Sequence, residues 1–277
     1  MGMVGIGTES YLFVNGLSTS KPLPLHNNIT LCPAKSSAKW DGVLSLFEND
    51  IDFSIAVLSN ATISSQLYIT AESTELLLAS TWNAQWDCVL LGALLNCNTM
   101  CNLQCDQALE NIEKASYLHV TNYELRALLS PPYCLSGSDE AWLSANYERA
   151  YKLLEIDTFQ TAVHAMASYR WHSVPRVQLA ILWSGIESLF NVNAEVSFRI
   201  SLYIANFLSD DSEQADKIFK KVKKLYSARS TAVHGNKTKD SLENVVHESA
   251  ELLNQILMRC AERSSLPNVE DLVFRVN

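Results

Sequence analysis

The sequence predicts an α+β chain, with a β-rich N-terminal part followed by an all-α helical bundle. The main signal is a change of period. Up to about residue 70, short runs of β-formers alternate with Asn, Asp, Gly and Pro. From Asp139 onward, apolar residues recur at helical spacing almost without interruption. Composition supports both halves: 48% of the 277 residues are hydrophobic and six are Trp, enough for packed cores and too apolar for general disorder.

In order along the chain, strands are expected at Tyr11–Val14, Ile29–Cys32, Val43–Phe47, Phe53–Leu58 and Ile63–Ile69, forming a small antiparallel sheet or sandwich. Residues 72–96 then read as a helix, with Leu76, Leu77, Trp82, Trp86, Val89, Leu90, Ala93 and Leu94 on one broad face. Ser130-Pro-Pro132 and Ser136-Gly-Ser138 mark a boundary. Ser138 with Asp139 and Glu140 supplies a cap and an acidic first turn. Helices follow at 139–155, 157–171, 174–190, 194–208, 212–234 and 239–263, and their short connections imply an up-and-down bundle. The organisation expected is a β-rich domain over 1–70, a helical or irregular connecting region over 71–138, a bundle over 139–265 and a tail over 266–277.

No apolar run reaches the roughly 18 residues of a membrane span, and the first residues lack the basic flank and apolar core of a signal peptide. The expectation is a cytoplasmic protein without a membrane partner. Seven Cys are present, an odd number without zinc-like pairing. Cys97, Cys101 and Cys105 would form one drifting stripe on a helix, and buried reduced thiols are expected there rather than a metal site. Trp82, Trp86, Trp142, Trp171 and Trp183 are ascribed to helix packing, and Trp40 to a polar loop.

The chemistry concentrates near residue 229. Arg229 and His234 stand in Tyr226-Ser-Ala-Arg-Ser-Thr-Ala-Val-His-Gly235. Arg can grip a phosphate through parallel charge-assisted hydrogen bonds, and His can exchange the proton of a ribose hydroxyl near neutral pH. Between Lys217 and Lys239 lie eight basic residues and no Asp or Glu, in a chain of net charge −9. Such a patch can track a phosphate backbone, although a run of Lys is as often a solvated helix face. Ile218, Phe219, Val222, Leu225, Tyr226 and Val233 trace an apolar stripe on which Arg229 also lies. A charge so placed needs a carboxylate, an interface or a bound anion, and Glu187 is the leading partner within the chain. His234 is about 140° around the helix from Arg229, so the two converge only if Gly235 releases the helix or a second protomer contributes. His164 and His172 are read as core or surface residues, while His26, His119 and His247 have no informative company.

The ordered set Leu182-Trp-Ser-Gly-Ile-Glu-Ser-Leu-Phe190, Phe198-Arg-Ile-Ser-Leu-Tyr-Ile-Ala205, a Lys-bearing helix and the Tyr226–Gly235 element resembles the HEPN superfamily, most closely its Apea-like branch. The resemblance covers roughly residues 140–263. It implies a helical bundle that dimerises so that two Arg–His motifs face one cleft, as in metal-independent endoribonucleases of antiviral defence and toxin–antitoxin systems. On this chain it assigns catalysis to Arg229 and His234, with Glu187, Ser230 and Tyr226 in support.

The expectation that follows is a homodimeric endoribonuclease that needs no metal or cofactor. In it the ribose 2′-OH attacks phosphorus while Lys220, Lys221, Lys224 and Lys237 bind flanking phosphates of the RNA. An antitoxin or regulatory partner is also implied by the resemblance. The competing expectation is a non-catalytic HEPN-type dimer that binds RNA, a nucleotide or a protein.

Overall fold

A computed structural model describes residues 7–35, 42, 44, 47, 49–113, 116–124, 131–192, 195–233 and 241–273. By its internal contacts the chain divides into Met1–Gly92 with Cys97–Glu148, and Ala93–Asn96 with Arg149–Asn277. The architecture is α+β: an antiparallel sheet in the first unit, helices in the second.

The first unit holds strands β1 (Glu9–Asn15), β2 (Leu17–Ser18), β3 (Leu23–His26), β4 (Ile29–Pro33), β5 (Ile63–Thr70), β6 (Met100–Cys105), β7 (Leu118–Val120) and β8 (Tyr133–Cys134). Six form one antiparallel sheet in the order β3-β4-β5-β1-β6-β7, and β2 pairs with β8 in parallel. Period-2 alternation sends Leu12 of β1, Leu31 of β4 and Leu67 of β5, which stand opposite one another, to one fully buried face. Phe13, Leu103 and Val120 lie on the other face, with Ile55 and Ala56 from helix α1 (Asp50–Asn60).

Helix α1 overturns the strand expected at Phe53–Leu58. Asn49 accepts a hydrogen bond from the Asp52 amide and Asp50 and Asp52 occupy the first turn, so the segment carries a complete N-terminal cap. Its buried residues Ile55, Ala56 and Ser59 follow helical spacing. The β-branched content misled the sequence reading; the cap decided the outcome. The strand expected at Val43–Phe47 falls mostly outside the described residues.

Helix α2 (Thr74–Leu94) forms where expected, but its inner face differs. Leu76 and Trp82 are exposed, whereas Leu77, Thr81, Ala84, Asp87, Cys88 and Leu91 are buried. Helix packing therefore does not account for Trp82. Asp87 is fully buried because two partners meet one carboxylate oxygen: His26 Nε2 lies 2.7 Å from Oδ1 and the Tyr147 hydroxyl 2.8 Å from it. His26 thus has company that sequence spacing could not show, since its partners are 61 and 121 positions away. Cys97, Cys101 and Cys105 are buried free thiols, as expected, but Cys101 and Cys105 lie on β6 rather than on a helix.

The remaining helices are α3 (Gly137–Leu153), α4 (Asp157–Ser168), α5 (Pro175–Phe190), α6 (Val196–Leu208), α7 (Ser212–Val233), α8 (Leu242–Arg263) and α9 (Val269–Val273). The cap of α3 is Ser136 rather than Ser138: the Asp139 amide donates to Ser136 Oγ at 3.2 Å, and Asp139 Oδ2 accepts from the Ser136 amide at 2.8 Å. This reciprocal pair is a capping box. Helix α5 begins at Pro175, whose fixed φ suits the first turn, and ends at Asn191 in the left-handed region with φ 44°.

Helix α5 is the centre of the bundle, packed against α4, α7 and α8. Leu182, Trp183 and Ile186 have no exposure, and Gly185 lets α4 approach. A Cβ on Gly185 would fall 2.7 Å from Ala165 Cβ and 3.2 Å from Ala162 Cα. Gly185→Ala should therefore lower stability by about 1–3 kcal/mol through overpacking, read as a reduced urea midpoint with an unchanged slope.

Candidate active site

Three helices of the bundle supply the site. Arg229 and Tyr226 come from α7, Glu187 and Trp183 from α5, and Ser249 from α8. The sequence folds this way because Val222, Leu225 and Ala232 bury one stripe of α7 while its lysines stay in water. The stripe ends on Ala232, not on Val233, which is 43% exposed.

Arg229 and Glu187 form an ion pair, with Nη2 3.3 Å from Oε1 and 3.4 Å from Oε2. Both side chains are partly open to solvent, at 22% and 33%. The guanidinium carbon lies 5.6 Å from the centre of the Tyr226 ring, close enough for a cation–π contribution. That ring in turn meets Trp183 edge to face, with centroids 5.3 Å apart. Trp183 is fully buried and donates from Nε1 to Ser249 Oγ at 3.1 Å. A chain of contacts thus runs from a buried hydroxyl on α8 to a partly exposed guanidinium. Arg229 Nε is buried and makes no hydrogen bond among the described residues.

The local electrostatics can be read from Tyr226. Burial raises its phenol above the ordinary 10.0, the Glu187 carboxylate raises it further, and the Arg229 cation opposes both. The phenol is neutral at physiological pH and its ring serves as a π surface for Arg229 and Trp183 rather than as a base.

The other expected site residues distribute as follows. Ser230 is half-buried one position beyond Arg229. Lys220 pairs with Asp216 at 2.6 Å, and Lys221 approaches Glu248 at 3.9 Å and Glu251 at 3.8 Å. Lys224 is exposed. His234 and Lys237 lie outside the described residues, as does Gly235. The basic stretch is therefore partly neutralised by carboxylates from outside it, which its own sequence does not reveal. Trp183 and Ser249 are the members of the contact chain that sequence reasoning left out. The signal for Trp183 was its place one turn before Glu187; Ser249 on α8 offered none.

Among the described residues no three His, Cys, Asp or Glu side chains gather as a metal site, and no helix is long and apolar enough to cross a membrane. Set against known proteins, the chain matches no family model, no curated protein and no solved structure.

Two measurements follow. Because the Arg229–Glu187 pair is partly exposed, Arg229→Ala should reduce unfolding stability by no more than about 1 kcal/mol in a urea melt. In an ultraviolet titration of tyrosinate, the signal that Tyr226→Phe removes should have its midpoint above pH 10.0. A phenol whose folded pKa is raised stabilises the fold fully below its unfolded pKa and loses that contribution as pH climbs through the folded one. Stability should accordingly fall less steeply in Tyr226→Phe than in the wild type across that range.

Proposed function

We propose that the chain is a metal-independent endoribonuclease of HEPN type, acting as a homodimer through Arg229 and His234. The observation that carries this reading is a partly exposed guanidinium beside Glu187 and the Tyr226 ring, five residues before His234 at the end of the most basic helix. A guanidinium so placed is oriented in advance yet still reachable by a phosphate, the condition for stabilising charge that develops in a transition state. The resemblance to the HEPN superfamily supplies the reaction class.

In the proposed step the ribose 2′-oxygen forms a bond to the adjacent phosphorus as the bond to the 5′-oxygen breaks. His234 accepts the 2′-OH proton or, in its protonated form, donates to the leaving oxygen, a role suited to a group that titrates near neutrality. Arg229 offers its donors to the non-bridging oxygens, exchanging the Glu187 carboxylate for phosphate. The products carry a 2′,3′-cyclic phosphate and a 5′-OH. Two protomers would bring two Arg–His motifs to a shared cleft, with Lys220, Lys221, Lys224 and Lys237 along the flanking RNA. A cytoplasmic location and a role in antiphage defence or beside an antitoxin belong to the same proposal.

A second reading has its own observation. The Arg229 charge is already matched by Glu187, and Lys220 and Lys221 stand beside carboxylates, the arrangement of a non-catalytic binding module whose Arg is structural.

Incubation with total RNA and labelled tRNA in EDTA separates the two. Cutting by the wild type that leaves 5′-OH ends, with loss of at least about a hundredfold in Arg229→Ala and His234→Ala, is the expected result. Cleavage that survives His234→Ala, or no cleavage by an intact dimer, would overturn the nuclease reading.

A further inference from the structure

Phe198 is 51% exposed on α6, although that helix buries Ile200, Tyr203, Ile204 and Phe207. Its ring meets Phe219 of α7 edge to face, with centroids 5.7 Å apart and planes at 74°. Lys223, one turn beyond Phe219, holds its ammonium 5.9 Å from the centre of the Phe219 ring. Among the described residues Lys223 forms no ion pair, whereas Lys217, Lys220 and Lys221 each face a carboxylate. An exposed aromatic ring braced by a second one, which itself lies near an ammonium that meets no carboxylate, is a combination that can bind unpaired nucleotides: the base stacks and the cation meets its phosphate.

Charge selects the occupant. From Val196 to Val233 the chain carries seven basic side chains against four acidic ones, inside a protein of net charge −9. Five of the seven already face carboxylates, Arg199 with Glu195, Lys217 with Glu213, Lys220 with Asp216, Lys221 with Glu248 and Arg229 with Glu187, so the attraction at the two rings comes from the Lys223 ammonium and favours an anionic ligand. Position along the helix agrees. Phe219 and Tyr226 are seven residues apart, so they share one side of α7. From Phe219 to Arg229 the helix rises about 15 Å, the length of about four stacked nucleotides at the spacing of one strand.

We propose that Phe198, Phe219 and Lys223 form a stacking subsite for one unpaired base of a single-stranded RNA, whose backbone then follows α7 toward Arg229. The direction of the strand rests on the nuclease reading. The stacking itself does not, because it can be measured on RNA that cannot be cut.

The probe is a fluorescent 2′-O-methyl oligouridylate of about ten residues, within the span of known single-strand sites. Its anisotropy is followed against the full-length chain, with circular dichroism confirming the fold of each variant and light scattering its mass. Phe198→Ala should weaken binding about tenfold, in the range of one lost base–aromatic stack, while Phe198→Trp binds at least as tightly as the wild type. Lys223→Ala should weaken binding and reduce the slope of log K against log salt by about 0.7. The proposal is overturned if the wild type fails to bind the oligonucleotide, or if Phe198→Ala binds it equally well. It is overturned too if Phe198→Ala loses binding only together with a halved mass, which would assign the ring to contact with a second copy of the chain. Phe198-dependent binding without cleavage of ordinary RNA in EDTA would remove the nuclease reading and leave the subsite standing.

Discussion

The helical unit is organised around one buried indole. Trp183 has no exposed surface, and its only polar atom must find a partner inside the protein, which it does at Ser249. That requirement fixes where α8 stands against α5. The edge of the same indole bounds the Tyr226 ring, and Tyr226 bounds Arg229. A side chain at the solvent boundary thus inherits its position from a hydrogen bond in the core. The packed interior transmits such constraints because it has little free volume into which side chains can shift.

The N-terminal unit solves a different problem. Its sheet buries residues on both faces, and the unit also buries a carboxyl group, an imidazole and a phenol. Asp87 is tolerated because one of its oxygens receives both His26 and Tyr147. The arrangement joins a strand end, the middle of α2 and α3, so three segments distant in sequence are tied by one polar contact set. Removing Asp87 would leave His26 and Tyr147 buried without the carboxylate they share, which makes this set a strong specifier of how the segments assemble.

Legibility followed the range of the interactions involved. The long helices from α4 to α8 were readable almost residue by residue, because their stripes repeat over many turns and their ends carry local signals such as Pro175. Short segments were harder. In α1 a run of β-formers competes with the Asn49 cap, and the cap prevailed since it satisfies amides that would otherwise lack partners. Strands β6 and β7 escaped notice because they are brief: β6 is held by β1, nearly ninety residues earlier, and β7 in turn by β6. The Arg229–Glu187 pair was anticipated by a local argument: an Arg on an apolar stripe needs a carboxylate, an interface or a bound anion, and Glu187 was the leading partner within the chain.

The amino-acid sequence alone determined the α+β class, the approximate limits of the long helices, the concentration of positive charge on α7 and the need of Arg229 for a partner. These depend on period, capping and charge count, all of which are short-range properties. Tertiary structure decided which groups actually meet. It set His26 beside Asp87, seated Tyr226 between Trp183 and Arg229, brought Lys221 near glutamates of α8, and left Phe198 open beside Phe219, whose ring meets Lys223. Those contacts arise when helix faces and strand registers are brought together through space, and no local pattern in the chain encodes the distance between them.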